Sequence, residues 1–463
     1  MINLPLEMAN LNKNTNYDSS LAVDKFIRSY RRSKKSIQVD FRKLVPNLTN
    51  PDRATHFLHS YPAKLLVHIP IFFLSNELLS KPHGVVLDPF SGSGTVMLEA
   101  SMANRQALGA ESNPFARLLS EVKSTPLDTD SLNLKLSEIL NSTPPKQTGP
   151  PPQVVNIEKW FYPHISKQLQ RIRIGINNTS AGAEKKFFEL CLAKCAEKVS
   201  LADPRISVPV RLNLDKYPEG NPHRDKIAKH FRKLKRINVI DLFSELATKN
   251  IRRMDNLRTG WPAVTQGRLI SDDAKNLFKN GDSTGLSKNS VDLIITSPPY
   301  PGAQKYIRSS TFGLGWLGLC PPNEMMNLKR STIGREEYRN QECDVIPLIG
   351  IAAIDNAINR VRDREKKRAA VVGYYLHEMK QSISEMYQAL KDEGHLVLIS
   401  SNNQIAGRNF PTAKYLRLLC EEIGFETKFV LVDQISSRGL MTKRNKTAGI
   451  ITREYVLLCQ KTK

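Results

Sequence analysis

The sequence predicts an α/β protein built on an open sheet whose strands end in ligand-carrying loops. Three stretches predict it. Val85-Val86-Leu87-Asp88 runs into Pro89-Phe90-Ser91-Gly92-Ser93-Gly94-Thr95 and then into Val96 to Ala103, which has helical spacing and no breaker, so it reads as strand, glycine turn, helix. Ala107-Leu108-Gly109-Ala110 reads as a second strand and ends in Glu111. Val291 to Ile295 reads as a third, stopped by Thr296-Ser297-Pro298-Pro299-Tyr300.

Each stretch carries its own chemistry. Glycines at 92 and 94 let a ligand approach the backbone, and the helix that follows offers unpaired N–H groups. Glu111 lies 23 residues after Asp88, the offset at which an acid meets a ribose diol in nucleotide-type sites. In the third stretch the prolines cannot donate to a ladder, so the chain leaves the sheet as an extended loop. That loop offers the Ser297 hydroxyl, the Pro298 carbonyl and the face of Tyr300, which suit an amine on a flat ring.

At 463 residues the chain exceeds one typical core. Lysine and arginine number 68 against 45 acids, a net charge of +23, which points to a polyanionic partner, with nucleic acid ahead of a merely basic surface. The six cysteines show no CxxC pairing, so neither a zinc site nor a disulfide framework is indicated, and a reducing cytoplasm fits. No apolar run approaches the length of a membrane span and the N-terminus lacks a signal h-region, so a soluble, unexported, cytoplasmic protein with no membrane partner is expected.

Elsewhere the signals are mixed. Arg28, Arg31, Arg32, Lys34 and Lys35 form either a phosphate-contacting arm or a solvated helix face. Thr143-Pro144-Pro145 and Gly149-Pro150-Pro151-Pro152 mark a linker, after which Trp160 to Val199 has helical spacing. Arg224 to Arg236 holds seven bases against Asp225 alone, a phosphate-facing or a solvated helix side. Arg360 to Arg368, with six bases and two acids, is either substrate-facing surface or an exposed helix. Leu390 to Ile399 reads as helix end, turn and buried strand, and Phe425 to Ile435 with Glu454 to Gln460 as an antiparallel hairpin. Arg438, Lys443, Arg444 and Lys446 decorate the loop between the last two strands.

Taken together, Asp88-Pro89-Phe90-Ser91-Gly92-Ser93-Gly94-Thr95 and Thr296-Ser297-Pro298-Pro299-Tyr300 resemble the S-adenosylmethionine motif and the catalytic motif of the DNA amino-methyltransferases. The resemblance covers roughly residues 50 to 126 and 266 to 463. It implies a Rossmann-like, seven-stranded methyltransferase sheet with helices on both faces, here with a helical insertion. It implies S-adenosylmethionine as cofactor, held by Asp88, Pro89, Phe90, Gly92, Gly94, Thr95, Glu111 and Asn113. Tyr61 and Lys64 belong to a segment, His59 to Lys64, similar to the one that closes over the methionine end. Asp282 looks like the family's third cofactor motif, although a plain turn aspartate reads the same way. Ser297, Pro298, Pro299 and Tyr300 would be catalytic, with no metal.

The expected organisation is an N-terminal arm and cofactor half over 1–126, a helical insert over 127–265 that contacts DNA, and a catalytic half over 266–463. The insert falls between the second and third cofactor motifs, so it is not expected to be the whole recognition region, and 301–370 is read as sharing that role. The expected substrate is the N4 amine of cytosine in double-stranded DNA, because Ser before Pro-Pro-Tyr is commoner among the family's cytosine members. Adenine N6 is the runner-up and an RNA amine the third reading. A cognate restriction endonuclease is a suggested partner.

Overall fold

Period-two alternation runs through each central strand and sorts neighbouring side chains onto two different cores. Val86, Leu293, Ile295, Val397, Ile399, Val456 and Leu458 pack in one cluster with helices Ser20–Ser33, His68–Leu74 and Thr95–Met102. Leu87, Ile294, Leu396, Leu398, Leu457 and Cys459 pack in another with helices Ala352–Arg362, Lys366–Ala389 and Thr412–Ile423. Near-continuous apolar runs such as Val291 to Ile295 are therefore required, since both faces of the sheet are covered.

The structure, a computed structural model, describes residues 17–46, 48, 52–62, 64–144, 149, 151–278, 285–302, 306–435 and 452–462. Its strands are β1 (Ile37–Val39), β2 (Val85–Asp88), β3 (Gln106–Ala110), β4 (Arg268–Ser271), β5 (Val291–Thr296), β6 (Leu390–Ser400), β7 (Asn403–Ile405), β8 (Arg408–Phe410), β9 (Phe425–Gln434) and β10 (Arg453–Lys461). Eight of them form one sheet in the order β1-β9-β10-β6-β5-β2-β3-β4, and β7 with β8 makes a small separate hairpin. The middle of the sheet is parallel, and β10 runs antiparallel between β6 and β9.

The eighth strand is a departure from the seven expected. Ile37, Gln38 and Val39 pair in parallel with Leu431, Val432 and Asp433 at the outer edge. The basic stretch before it is the last turn of helix Ser20–Ser33, whose Val23 and Tyr30 are buried against the sheet while Arg31, Arg32, Lys34 and Lys35 face solvent. Three apolar-flanked residues are too short a run to read as a strand from sequence, and the neighbouring β9 supplies the ladder.

Residues 127–265 are almost wholly helical, with Thr129–Ser142, Pro163–Thr179, Gly182–Val199, Pro222–Arg236 and Val239–Gly260 as the long helices. Their apolar faces share one core with Leu98, Phe115, Leu119, Phe312 and Trp316, from helices Thr95–Met102, Pro114–Lys123 and Thr311–Leu317. Among the described residues no helix is long and apolar enough to cross a membrane.

Candidate functional site

A cleft opens at the carboxyl ends of β2, β3, β4 and β5, the end where open α/β sheets bind ligands. Counted out to its mouth it encloses about 930 Å³. Asp88, Pro89, Phe90, Gly92, Thr95, Glu111, Asn113, Tyr61, Ser297 and Pro299 all line it.

Asp88 ends β2 and is 4% exposed. Its Oδ1 accepts from Thr296 Oγ1 at 2.7 Å, which ties the ends of β2 and β5 together, and from Phe90 N at 3.1 Å. Burial pushes its carboxyl up to about 7, and the nearby Glu111 charge acts in the same sense against those hydrogen bonds. The folded pKa thus lies above the unfolded value. Asp88 destabilises the free protein increasingly as pH rises from about 4 through 7, by up to roughly 4 kcal/mol. Asp88→Asn should therefore melt at a higher temperature than wild type at pH 8, with the difference shrinking at pH 5. Equal melting points at pH 8 would show that Asp88 carries no such burden.

Glu111 follows β3. Gly92 N donates to its Oε2 and Asn113 N to its Oε1, each at 2.8 Å, while burial raises its pKa. The carboxylate thereby braces the glycine turn and keeps lone pairs for a ligand. Asn113 caps helix Pro114–Lys123 through Phe115 N, and its Nδ2 donates to Tyr61 Oη at 3.3 Å and Ser310 Oγ at 3.0 Å. Tyr61 lies nearly parallel to Tyr306, with centroids 6.3 Å apart and an interplanar angle of 12°. The turn is held from behind by Lys123, which is 1% exposed and donates to the Ser93 carbonyl at 2.6 Å. Gly94 has φ +70, and a Cβ there would stand 2.7 Å from Ser120 Cα, so no side chain fits between the turn and that helix.

Several expected residues stand elsewhere. Gly94 works behind the wall rather than in it. Pro298 is buried beneath the loop, and Tyr300 lies outside the lining with its hydroxyl 3.1 Å from Ser401 Oγ. Lys64 is likewise outside the lining: its Nζ donates to the His56 carbonyl at 3.2 Å and sits 4.3 Å over the Phe57 ring. Asp282 lies outside the described residues, as do Arg438, Lys443, Arg444 and Lys446. The acid that the structure brings to the wall after β4 is Asp273, beside Ala274. Its signal was in the sequence, where Leu269-Ile270 is followed by Ser271-Asp272-Asp273, a strand closing on acids like the two before it. Tyr306, Thr332 and Ile333 complete the wall from beyond the Ser297–Tyr300 loop, and nothing local in the sequence marks them.

The family model described as DNA methylase matches residues 13–121 and 291–463, more than half of the chain and all of the cleft wall except Asp273 and Ala274. This chain belongs to the DNA methylase family. The unmatched middle contains the helical segment and β4. Similar proteins include the Type II methyltransferase M.MvaI of Kocuria varians, 23% identical over 89% of this chain and 92% of that protein. The Type II methyltransferase M.AvaI of a Nostoc species is 22% identical over 88% of this chain and 89% of that one. M.BsoBI of Geobacillus stearothermophilus, also a Type II methyltransferase, is 21% identical over 83% of this chain and 81% of that one. The sheet is thus a Rossmann-like methyltransferase sheet, and the methylase's cofactor is S-adenosylmethionine. The cleft suits it: the Ser91 hydroxyl is buried in the wall with no hydrogen-bond partner among the described residues, and three strand-end acids converge there.

Proposed function

We propose that the protein is a Type II, site-specific DNA methyltransferase that methylates the exocyclic N4 amine of a cytosine flipped out of double-stranded DNA. The observation that carries this reading is that Ser297, on a loop stiffened by two prolines, opens into the same cleft as Asp88 and Glu111. Residues 1–126 and 266–463 would form the methyltransferase domain, with 127–265 a DNA-contacting subdomain.

An exocyclic amine is a poor nucleophile because its lone pair is delocalised into the ring. Ser297 Oγ on the cleft wall would accept from the amine, with the backbone carbonyl of the buried Pro298 as second acceptor once the base has entered, so that the lone pair is drawn out of conjugation and the nitrogen aimed into the cleft. Bound S-adenosylmethionine supplies the electrophilic methyl group. Asp88, the Gly92 turn, Glu111 and Asn113 would hold it, with Asp273 on the wall after β4 beside them. The half-buried ring of Tyr300 gives the flipped base a face to stack on.

Mass spectrometry of nucleosides from DNA of expressing cells should find N4-methylcytosine. N6-methyladenine without it would overturn the base assignment, and modified RNA with unmodified DNA would overturn the substrate. Such DNA should also resist a restriction endonuclease of the same specificity.

Two further results are expected. Glu111→Ala should weaken S-adenosylmethionine binding by about 1.5 to 3 kcal/mol in calorimetry, through loss of a charged acceptor. On helix Pro222–Arg236, Ile227 and Leu234 are buried while Lys226, Lys229, Arg232, Lys233, Lys235 and Arg236 face solvent. Changing Lys229, Arg232 and Lys233 to Gln should lower affinity for all DNA alike and reduce the salt slope by roughly 0.9 for each phosphate no longer neutralised. An unaltered slope would make this face a solvated one.

A further inference from the structure

Beyond the catalytic loop the turn Tyr306–Ser309 borders two clefts at once. Tyr306 faces the cofactor cleft, Ile307 lines both that cleft and a second groove, and Arg308 belongs to the second groove alone. The same division recurs across the groove. Lys329 and Arg330 line it, the next residues Ser331, Thr332 and Ile333 line the cofactor cleft, and Arg335 returns to the groove. Both segments thus border the two spaces at once.

The groove is lined by Arg308, Lys329, Arg330, Arg335 and Arg339 with Glu336, Glu337 and Glu342. Arg335 is already engaged: its Nη2 donates to Glu342 Oε1 at 2.6 Å, and its guanidinium lies 4.0 Å over the Tyr338 ring, which stacks on Tyr374. That arrangement leaves Arg308, Lys329, Arg330 and Arg339 with no ion pair among the described residues. Arg308, Arg330 and Arg339 are exposed, and Met326, half exposed, lies among them. A folded groove lined by five cations against three carboxylates, backed by a locked guanidinium–tyrosine stack, suits a polyanion rather than an intramolecular partner.

We infer that this groove binds the backbone phosphates of the DNA strand that carries the target base, next to the point where that base enters the cofactor cleft. The inference rests on the proposed DNA substrate. Lys329 and Arg330 are its central contacts, because they adjoin Ser331 to Ile333 of the cofactor wall. Phosphate contacts there fix the register of the strand and leave sequence reading to other surfaces.

The test uses the full-length protein with Lys329→Gln and Arg330→Gln combined, positions outside the hydrophobic clusters whose change leaves the core alone. Anisotropy with a duplex containing the methylated site, found by sequencing DNA from expressing cells, should show at least tenfold weaker binding and a salt slope smaller by roughly 1.8. Calorimetric S-adenosylmethionine affinity should match wild type. Replacing the phosphates flanking the target base by neutral methylphosphonates should weaken wild type toward the variant's affinity and leave the variant little changed. Wild-type salt slope in the variant, or equal losses for both proteins on the neutralised duplex, would overturn the groove assignment. If wild type itself methylates no DNA, the substrate reading fails instead, and the two failures are told apart by the wild-type reaction alone.

Discussion

Ser297→Ala should lower methyl transfer by about 10² to 10³ while calorimetric S-adenosylmethionine affinity stays at the wild-type value. The hydroxyl is small and half-buried on the cleft wall, so its loss opens no cavity of consequence. Its proposed work is done when the amine nitrogen rehybridises, and an oriented acceptor counts for most at that moment. Ser297→Asp should recover part of the rate, since a carboxylate also accepts from an amine. Ser297→Thr keeps the hydroxyl and reports whether the β-methyl is tolerated. A wild-type rate in Ser297→Ala would remove the hydroxyl from the chemistry. A fall in cofactor affinity matching the fall in rate would recast it as a binding residue.

Gly334→Ala should have the second largest effect, on a residue remote in sequence from either motif. Gly334 has φ +75, and a Cβ there would lie 2.9 Å from the Tyr300 carbonyl oxygen and 3.5 Å from the Tyr375 ring. Its own carbonyl accepts from Gly302 N at 3.1 Å, so the strap from Ser331 to Gly334 clasps the Ser297–Tyr300 loop just past the prolines. An added methyl must push that loop or the strap aside. Together with the left-handed backbone conformation, this should cost about 1 to 3 kcal/mol in denaturant melts. Turnover should fall at least tenfold. Lost stability with unchanged kcat/KM would mean that the strap yields and the loop does not.

The parts of the site legible in the sequence are those in which one local rule dictates both structure and chemistry. Asp88 and Glu111 close apolar runs, and Ser297 stands before prolines that end a strand, so each could be placed from its neighbours alone. Asp273 obeys the same rule, yet Gly281-Asp282, outside the described residues, carries a similar sequence signal nearer β5. Tyr306, Thr332, Ile333 and Gly334 obey no such rule. They reach the site because helical packing folds a long excursion back over the loop, and that information lies in packing between distant segments. Lys64 is named through the resemblance of its segment to one that closes over the cofactor, and the structure sets it on the His56 carbonyl and the Phe57 ring, eight and seven residues back. β1 was unreadable for a related reason: its pairing partner, β9, lies almost 400 residues away.

The Asp88–Thr296 hydrogen bond marks the seam between β2 and β5, where Leu87 pairs with Ile294, roughly 200 residues further along the chain. β2 with β3 is a close-range unit, and so is the group in which β10 runs between β6 and β9 and β5 adds on through β6. Joining those two units across the seam closes a loop that contains the whole helical segment, and pairing β3 with β4 closes one of roughly 160 residues. Contacts of such high order form late and slowly, after local units have collapsed. The cleft is therefore finished in the last stage of folding, and a molecule that binds across β2 to β5 grips the slowest contacts to form, so cofactor present during refolding should raise the yield by trapping chains that have just crossed that barrier.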